Sequence, residues 1–136
     1  IVPLSSQSIE LLQTVKLITG QGRFVFASPR SWTGNRQMSE ATINSTFRAM
    51  GYERDEVTAH GFRHTASTML NESGLWSPDA IERELAHVEE NKIRGTYNAA
   101  QYLEERARMM QWWSDKVMGL AEAVKVKAQK SAVFAA

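Results

Sequence analysis

The stretch His60-Gly61-Phe62-Arg63-His64-Thr65-Ala66-Ser67-Thr68 decides how the chain is read. It opens a helix predicted over Gly61 to Glu72 and closed by Ser73-Gly74. His60 and His64 stand four apart, a spacing that places two imidazoles on one helical face and fits a zinc site. The zincin pattern, however, requires a Glu directly after the first His, and Gly61 occupies that place, with the cation Arg63 alongside. An anion site suits these residues better. Arg63 is a fixed fork of donors that matches a phosphate, and His60 sits where the backbone N–H groups and dipole of a helix start favour negative charge.

Outward from this box the chain is mainly α with little strand. Upstream, Ile1-Val2-Pro3-Leu4-Ser5 reads as the end of a strand running into a helix capped by Ser5 or Ser6. Ile9, Leu12, Val15 and Ile18 recur at helical spacing, and Gly20 and Gly22 stop the helix. Arg23 to Ala27 is a short apolar stretch, and Ser28 to Gln37, rich in Ser, Pro, Arg and Gly, is an exposed loop. Ser39 is the expected cap of a second helix with Ile43, Phe47 and Met50 on its apolar face and Gly51 at its end. Downstream, Ser77-Pro78 gives an N-cap with proline at the first helical position and opens a helix through Ala86. A polar link at Val88 to Lys92 precedes the segment Ile93–Ala100. The longest helix then runs from about Tyr102 toward Lys125. Its expected apolar stripe is Leu103, Ala107, Met110, Val117, Leu120 and Val124, widened by Met109, Trp112 and Trp113. Two adjacent tryptophans cannot both enter one core, so this helix is expected to pack on a second protomer as well. Trp32 and Trp76 read as single, loop-placed aromatics.

Composition bounds the alternatives. The 136 residues suit one domain, and 43% hydrophobic residues suffice for a core. Without cysteine, disulfides, thiolate nucleophiles and Cys-based zinc sites are excluded. No apolar run approaches the roughly 20 residues of a membrane span, so a cytoplasmic location is expected. Sixteen Lys/Arg against fifteen Asp/Glu leave a net charge of +1, which by itself argues against a tail-driven nucleic-acid binder.

Two further residues carry chemistry. His87 ends the fourth predicted helix, a place for an exposed imidazole. Tyr97 lies in the polar run Lys92-Ile93-Arg94-Gly95-Thr96-Tyr97-Asn98. A phenol with a pKa near 10 is a poor nucleophile at neutral pH unless cations and a base assist it. From the residues alone, this Arg/His/Tyr set fits either a phosphate site or helix packing.

The box His60 to Thr68 resembles the His-x-x-Arg-His box of the tyrosine recombinase (phage integrase) family. Leu85-Ala86-His87 resembles the family's Leu-Gly/Ala-His box, and Tyr97 stands where the family keeps its nucleophile. Tyr102-Leu103-Glu104-Glu105-Arg106 and Met109-Met110-Gln111-Trp112-Trp113 look most like integrases of prophages and integrative islands. The resemblance implies strand exchange on double-stranded DNA attachment sites without metal, ATP or other cofactor, through a 3′-phosphotyrosyl link. It implies Tyr97 as nucleophile and Arg63 on the scissile phosphate. His60 would assist proton transfer or hold a phosphate oxygen, and His87 would bond a non-bridging oxygen. His64 is a supporting residue whose role is as well explained by packing, and Tyr102 is a competing nucleophile whose helical register favours a structural role. Lys92, Arg94, Arg30 and Arg36 are the expected DNA contacts.

The resemblance also implies an earlier arginine and a hairpin lysine upstream of the Val-Pro-Leu-Ser junction. Lys16, Arg23, Arg30 and Arg36 lie downstream of it and match neither. Residues 1–136 are therefore expected to be the carboxy-terminal portion of an integrase catalytic domain, inactive alone and tetrameric on DNA through the last helix. The small charge is then a property of a partial domain. The alternative is a helical DNA-binding or protein-interaction domain that kept the fold and lost the chemistry.

Overall fold

The computed structural model describes residues 1–28, 30–31, 33–86 and 101–134. Among these there are five helices: α1 Ser6–Thr19, α2 Thr42–Ala49, α3 Ala59–Ser73, α4 Pro78–Glu84 and α5 Leu103–Phe134. The extended pairing they contain is a single antiparallel bridge, Ala27 with Gln37. The mainly helical expectation holds. The chain divides into two compact units, residues 1–6 with 76–136, and residues 7–75.

The first unit is built on α4 packed against the start of α5. Ser77 caps α4 as the sequence predicts, its hydroxyl accepting from the Ala80 N–H, with Pro78 in the first turn. The first turn of α5 reaches back to α4. Glu105 takes both donors of Ser77, the N–H at 2.6 Å and the hydroxyl at 3.0 Å, and the Tyr102 hydroxyl donates to Asp79 at 3.3 Å. Arg106 pairs with Glu84 at 2.7 Å. Ala80, Ile81, Leu85 and Met109 form the buried apolar centre of this unit. Residues 1–6 join through Ser5, whose hydroxyl lies 2.8 Å from that of Ser114, and through the Ser6 N–H, which donates to Gln111 at 2.9 Å.

In the second unit α1 ends in a turn in which the Gly20 N–H returns to the Lys16 carbonyl at 2.9 Å. The loop beyond it closes on itself. The Ser28 N–H bonds the Arg36 carbonyl and the Met38 N–H bonds that of Phe26, while Gly22 lies directly on Gly34. A Cβ on Gly22 would stand 2.8 Å from the Gly34 carbonyl oxygen, so this approach needs a residue without a side chain. α3 ends on Gly74 in the left-handed conformation, the sign of a C-terminal glycine stop. Leu70 is the buried hydrophobic residue of this unit among the described residues.

Several local expectations are corrected. Ile1 to Ser5 form no strand. Ser39 does not cap α2: it makes the preceding turn, its carbonyl accepting from the Thr42 N–H, and the helix starts from Ala41 without a side-chain cap. Ile43 and Met50 on the expected apolar face of α2 are exposed. α3 begins at Ala59, two residues earlier than expected, because Thr58 caps it. α4 stops at Glu84 rather than Ala86, which adopts a positive φ of 48°. α5 continues past Lys125 to Phe134, and its expected stripe is largely open, with Val124 68% exposed and Leu103, Val117 and Leu120 also exposed. The inward residues are Arg106 and Met109, with Met110, Trp112 and Trp113 half-buried. Two reasons apply. In the first turns α4 takes the face of Glu105, Arg106 and Met109 and leaves Leu103 and Ala107 exposed. Beyond them, 32 residues span about 48 Å, far more than the seven-residue α4 can cover. Trp76 is no isolated loop aromatic, since its ring meets Trp112 edge-on at 6.2 Å.

Candidate functional site

The site begins with how α3 starts. Thr58 is extended, and its hydroxyl accepts from the Gly61 N–H at 2.9 Å. The Ala59 N–H is taken by Asn44 of α2 at 2.9 Å. Two of the donors a helix start leaves unpaired are thus satisfied, one by the chain's own cap and one by a neighbouring helix. α2 holds this turn in two further ways. The Arg48 guanidinium donates to the Val57 carbonyl, and the Phe47 and Phe62 rings lie 5.7 Å apart. The first turn of α3 is therefore fixed in place by a cap, a side-chain amide, a guanidinium and a ring pair.

On this turn stand His60, Arg63 and His64, separated by three and four residues and so on one face of the helix. His60 and His64 are exposed and Arg63 is half-buried. The arrangement offers two exposed imidazoles on the same face as a half-buried arginine, near the positive end of a helix dipole. That combination suits an anion. Among the described residues no three His, Asp or Glu side chains come together as a metal site.

Arg30 and Arg36, the loop arginines singled out from the sequence, are both exposed and line one groove of about 600 Å³. The antiparallel closure of the loop brings them beside the start of α2, where Ser39, Thr42, Ser45 and Thr46 contribute hydroxyls to the same groove. Sequence reasoning missed Arg48 and Arg54, which line a second groove of about 330 Å³ with Asn44 and Thr58. The two grooves share Ala41 and Ser45, so four arginines border α2. The signal for Arg54 was the polar turn after Gly51, which has no apolar periodicity to mark it. His87, Lys92, Arg94 and Tyr97 lie outside the described residues. Tyr102, the competing nucleophile, is half-buried, precedes α5 and bonds Asp79, as a structural residue would.

The family profile described as "Phage integrase family" matches residues 1–104, which contain the His60–Thr68 box and the second box. The chain belongs to the phage integrase family. It is 50% identical over 117 residues to the integrase of Enterobacteria phage P4, covering 85% of this chain and 26% of that protein. It is 45% identical over 116 residues to the integrase of Shigella phage Sf6, covering 85% and 29%. Prophage integrase IntS of Escherichia coli is 44% identical over 116 residues, again covering 85% and 29%. The chain thus spans less than a third of the length of these relatives. No solved structure matches it. None of the described helices is long and apolar enough to cross a membrane.

Proposed function

We propose that residues 1–136 are the carboxy-terminal portion of the catalytic domain of a site-specific DNA recombinase, and that Tyr97 is its nucleophile. The observation that carries the reading is the braced first turn of α3, which presents His60, Arg63 and His64 together inside the stretch matched by the family profile. In the proposed reaction the Tyr97 phenolic oxygen attacks a DNA phosphorus. A P–O bond to tyrosine forms, the bond to the 5′-oxygen breaks, and that oxygen leaves as a hydroxyl after taking a proton. The reverse attack by a partner strand's hydroxyl restores the duplex. Because the phosphotyrosyl ester conserves the bond energy, neither metal nor ATP is required.

Arg63 stabilises the charge that builds on the phosphate in the transition state. His60 assists proton transfer or holds a phosphate oxygen, and His87 donates to a non-bridging oxygen. His64, exposed on the same face as Arg63, is a supporting residue of the site. Arg30 and Arg36 in the first groove, with Lys92 and Arg94, contact DNA phosphates without reading sequence, and Arg54, which lines the second groove, joins that set in this reading. A second copy of the chain docks on α5. The Trp/Met surface first expected to serve there is engaged within the chain, where Met109 is buried and Trp112 meets Trp76, so the docking face moves outward to Val117, Leu120 and Val124.

The test is a chimera in which this chain replaces the homologous stretch of the phage P4 integrase, assayed on nicked attachment DNA for a covalent protein–DNA adduct. The expected result is an adduct in the chimera, none in Tyr97→Phe, and a loss on the order of 10²–10³ in rate for Arg63→Ala. The isolated chain is expected to give no adduct, since upstream phosphate-binding charge is part of the proposed site. An adduct that survives Tyr97→Phe overturns the assignment of the nucleophile. An isolated chain that binds DNA while the chimera never forms an adduct favours a binding domain without chemistry.

A further inference from the structure

Arg106 is 3% exposed, and each of its guanidinium nitrogens is engaged. Nε donates to Glu84 at 2.7 Å, Nη1 to the Gln101 carbonyl at 3.1 Å and Nη2 to the Ile1 carbonyl at 3.1 Å. Glu84 is the last residue of α4, and its side chain is only 7% exposed. Gln101 stands just before α5. One planar group therefore ties together the two points between which residues 85–100 are strung. A buried guanidinium with all three nitrogens engaged in this way fixes positions as well as charge, because its fork has a single geometry.

A second observation falls on the same two junctions. The non-glycine residues with positive φ are Ala86 at 48° and Tyr102 at 47°, one on each side of residues 87–100. L-residues enter the left-handed region at a cost, and they persist there only where their surroundings over-determine the backbone. Tyr102 is held by its bond to Asp79 and, through its carbonyl, by the Arg106 N–H at 2.8 Å. Ala86 follows the buried Leu85, and its N–H returns to the Arg83 carbonyl at 3.3 Å. Strained backbone on both sides of one segment, next in sequence to the Glu84 and Gln101 groups that one buried guanidinium joins, exceeds what holding α4 to α5 requires, since Ser77–Glu105 and the buried Ile81 and Met109 already do that.

We propose that Arg106, with Glu84, is a positioning residue that fixes the two ends of the segment carrying Tyr97, setting where that segment leaves α4 and rejoins α5. It touches neither DNA nor the reacting atoms. The role in catalysis rests on the proposed function, whereas the structural part of the inference does not.

Two measurements separate the two. The chain lacks cysteine, so nitroxides attached at Arg83→Cys and Gln101→Cys, both exposed positions, report the geometry of the junctions alone. Arg106→Lys keeps the charge but has one nitrogen for three acceptors, and Glu84→Gln keeps the shape but not the charge. Both are expected to widen the interspin distance distribution at least twofold. Met109→Ala, which loosens the same helix without touching the pair, is expected to leave it unchanged. In the chimera, single-turnover adduct formation at saturating DNA is expected to fall at least tenfold in Arg106→Lys, with DNA affinity within twofold of the parent and Met109→Ala near the parental rate. An unchanged spin-label distribution in both Arg106→Lys and Glu84→Gln overturns the proposal. So does a Met109→Ala variant that matches Arg106→Lys in both measurements. If the distribution widens while the parent chimera forms no adduct, the junction role stands and the proposed function falls.

Discussion

Around α4 and α5, Tyr102, Glu105 and Arg106 on one side reach Asp79, Ser77 and Glu84 on the other, over an apolar centre of Ala80, Ile81, Leu85 and Met109. Around α2 and α3 the bonds are shorter in sequence: Thr58 to Gly61, Asn44 to Ala59, Arg48 to Val57, with Phe47 against Phe62 and the apolar residues of α1 left unburied. The first region spends its polar groups on itself, in part-buried pairs and one buried one. The second exposes Arg30, Arg36, Arg54, His60 and His64 and uses its short-range bonds to fix the backbone of the α3 start. The braced turn of α3 shows how little buried material is needed to hold a helix start in place.

If that contrast is right, the largest loss of stability belongs to the buried pair. Arg106→Ala strands the Glu84 carboxylate in a site with little water, and urea denaturation followed by tryptophan fluorescence should show a loss of about 3–5 kcal/mol. A loss below about 1 kcal/mol would mean that water reaches Glu84 and that the contrast between the regions is false. Next comes Met109→Ala, which opens a cavity at a fully buried position and should cost about 2–4 kcal/mol in the same measurement.

Smaller effects sharpen the comparison at single residues. Thr58→Ala removes the cap beneath the His60–Arg63 turn and should cost about 1 kcal/mol by denaturation followed by circular dichroism. Ala86→Gly should instead stabilise by up to about 1 kcal/mol, because glycine accepts the left-handed backbone without the Cβ penalty. A destabilised Ala86→Gly would show that the strain there is not real. The smallest effect is expected on the open half of α5, where Val124→Ser should change the stability of the monomer by no more than about 0.5 kcal/mol. A larger loss that grows with protein concentration would reveal a covered face between copies.

The Ala86 conformation also gives physical content to one of the motifs. The box that Leu85-Ala86-His87 resembles admits glycine or alanine before its histidine, and here that position has a positive φ, the backbone state that favours glycine. Sequence pattern had marked the place, and the backbone supplies the cause.

Helix existence was legible in the chain because caps and stops are local. Ser77-Pro78 and Ser73-Gly74 state their roles within a few residues, and both helix ends fall as read. The grouping of His60, Arg63 and His64 was equally legible, since helical spacing alone puts them on one face. Local signals misled where another group lay nearby, as with Ser39, whose groups were already committed to a turn, and at α3, which Thr58 caps two residues ahead of the expected start. The apolar stripe of α5 misled for another reason. Periodicity tells which residues share a face but not how much of a partner is there to cover it, and a seven-residue α4 covers only the first turns.

What the sequence determined by itself was thus the helical class, the family motifs and the grouping of His60, Arg63 and His64 on one helical face, because each depends on neighbours within a turn or two. Tertiary structure alone decided that Arg106 is buried on Glu84, that Glu105 belongs to Ser77, that Trp76 meets Trp112 and that Arg30 and Arg36 share a groove. Those partners are separated along the chain by turns and whole helices, and only the folded backbone brings them within bonding distance.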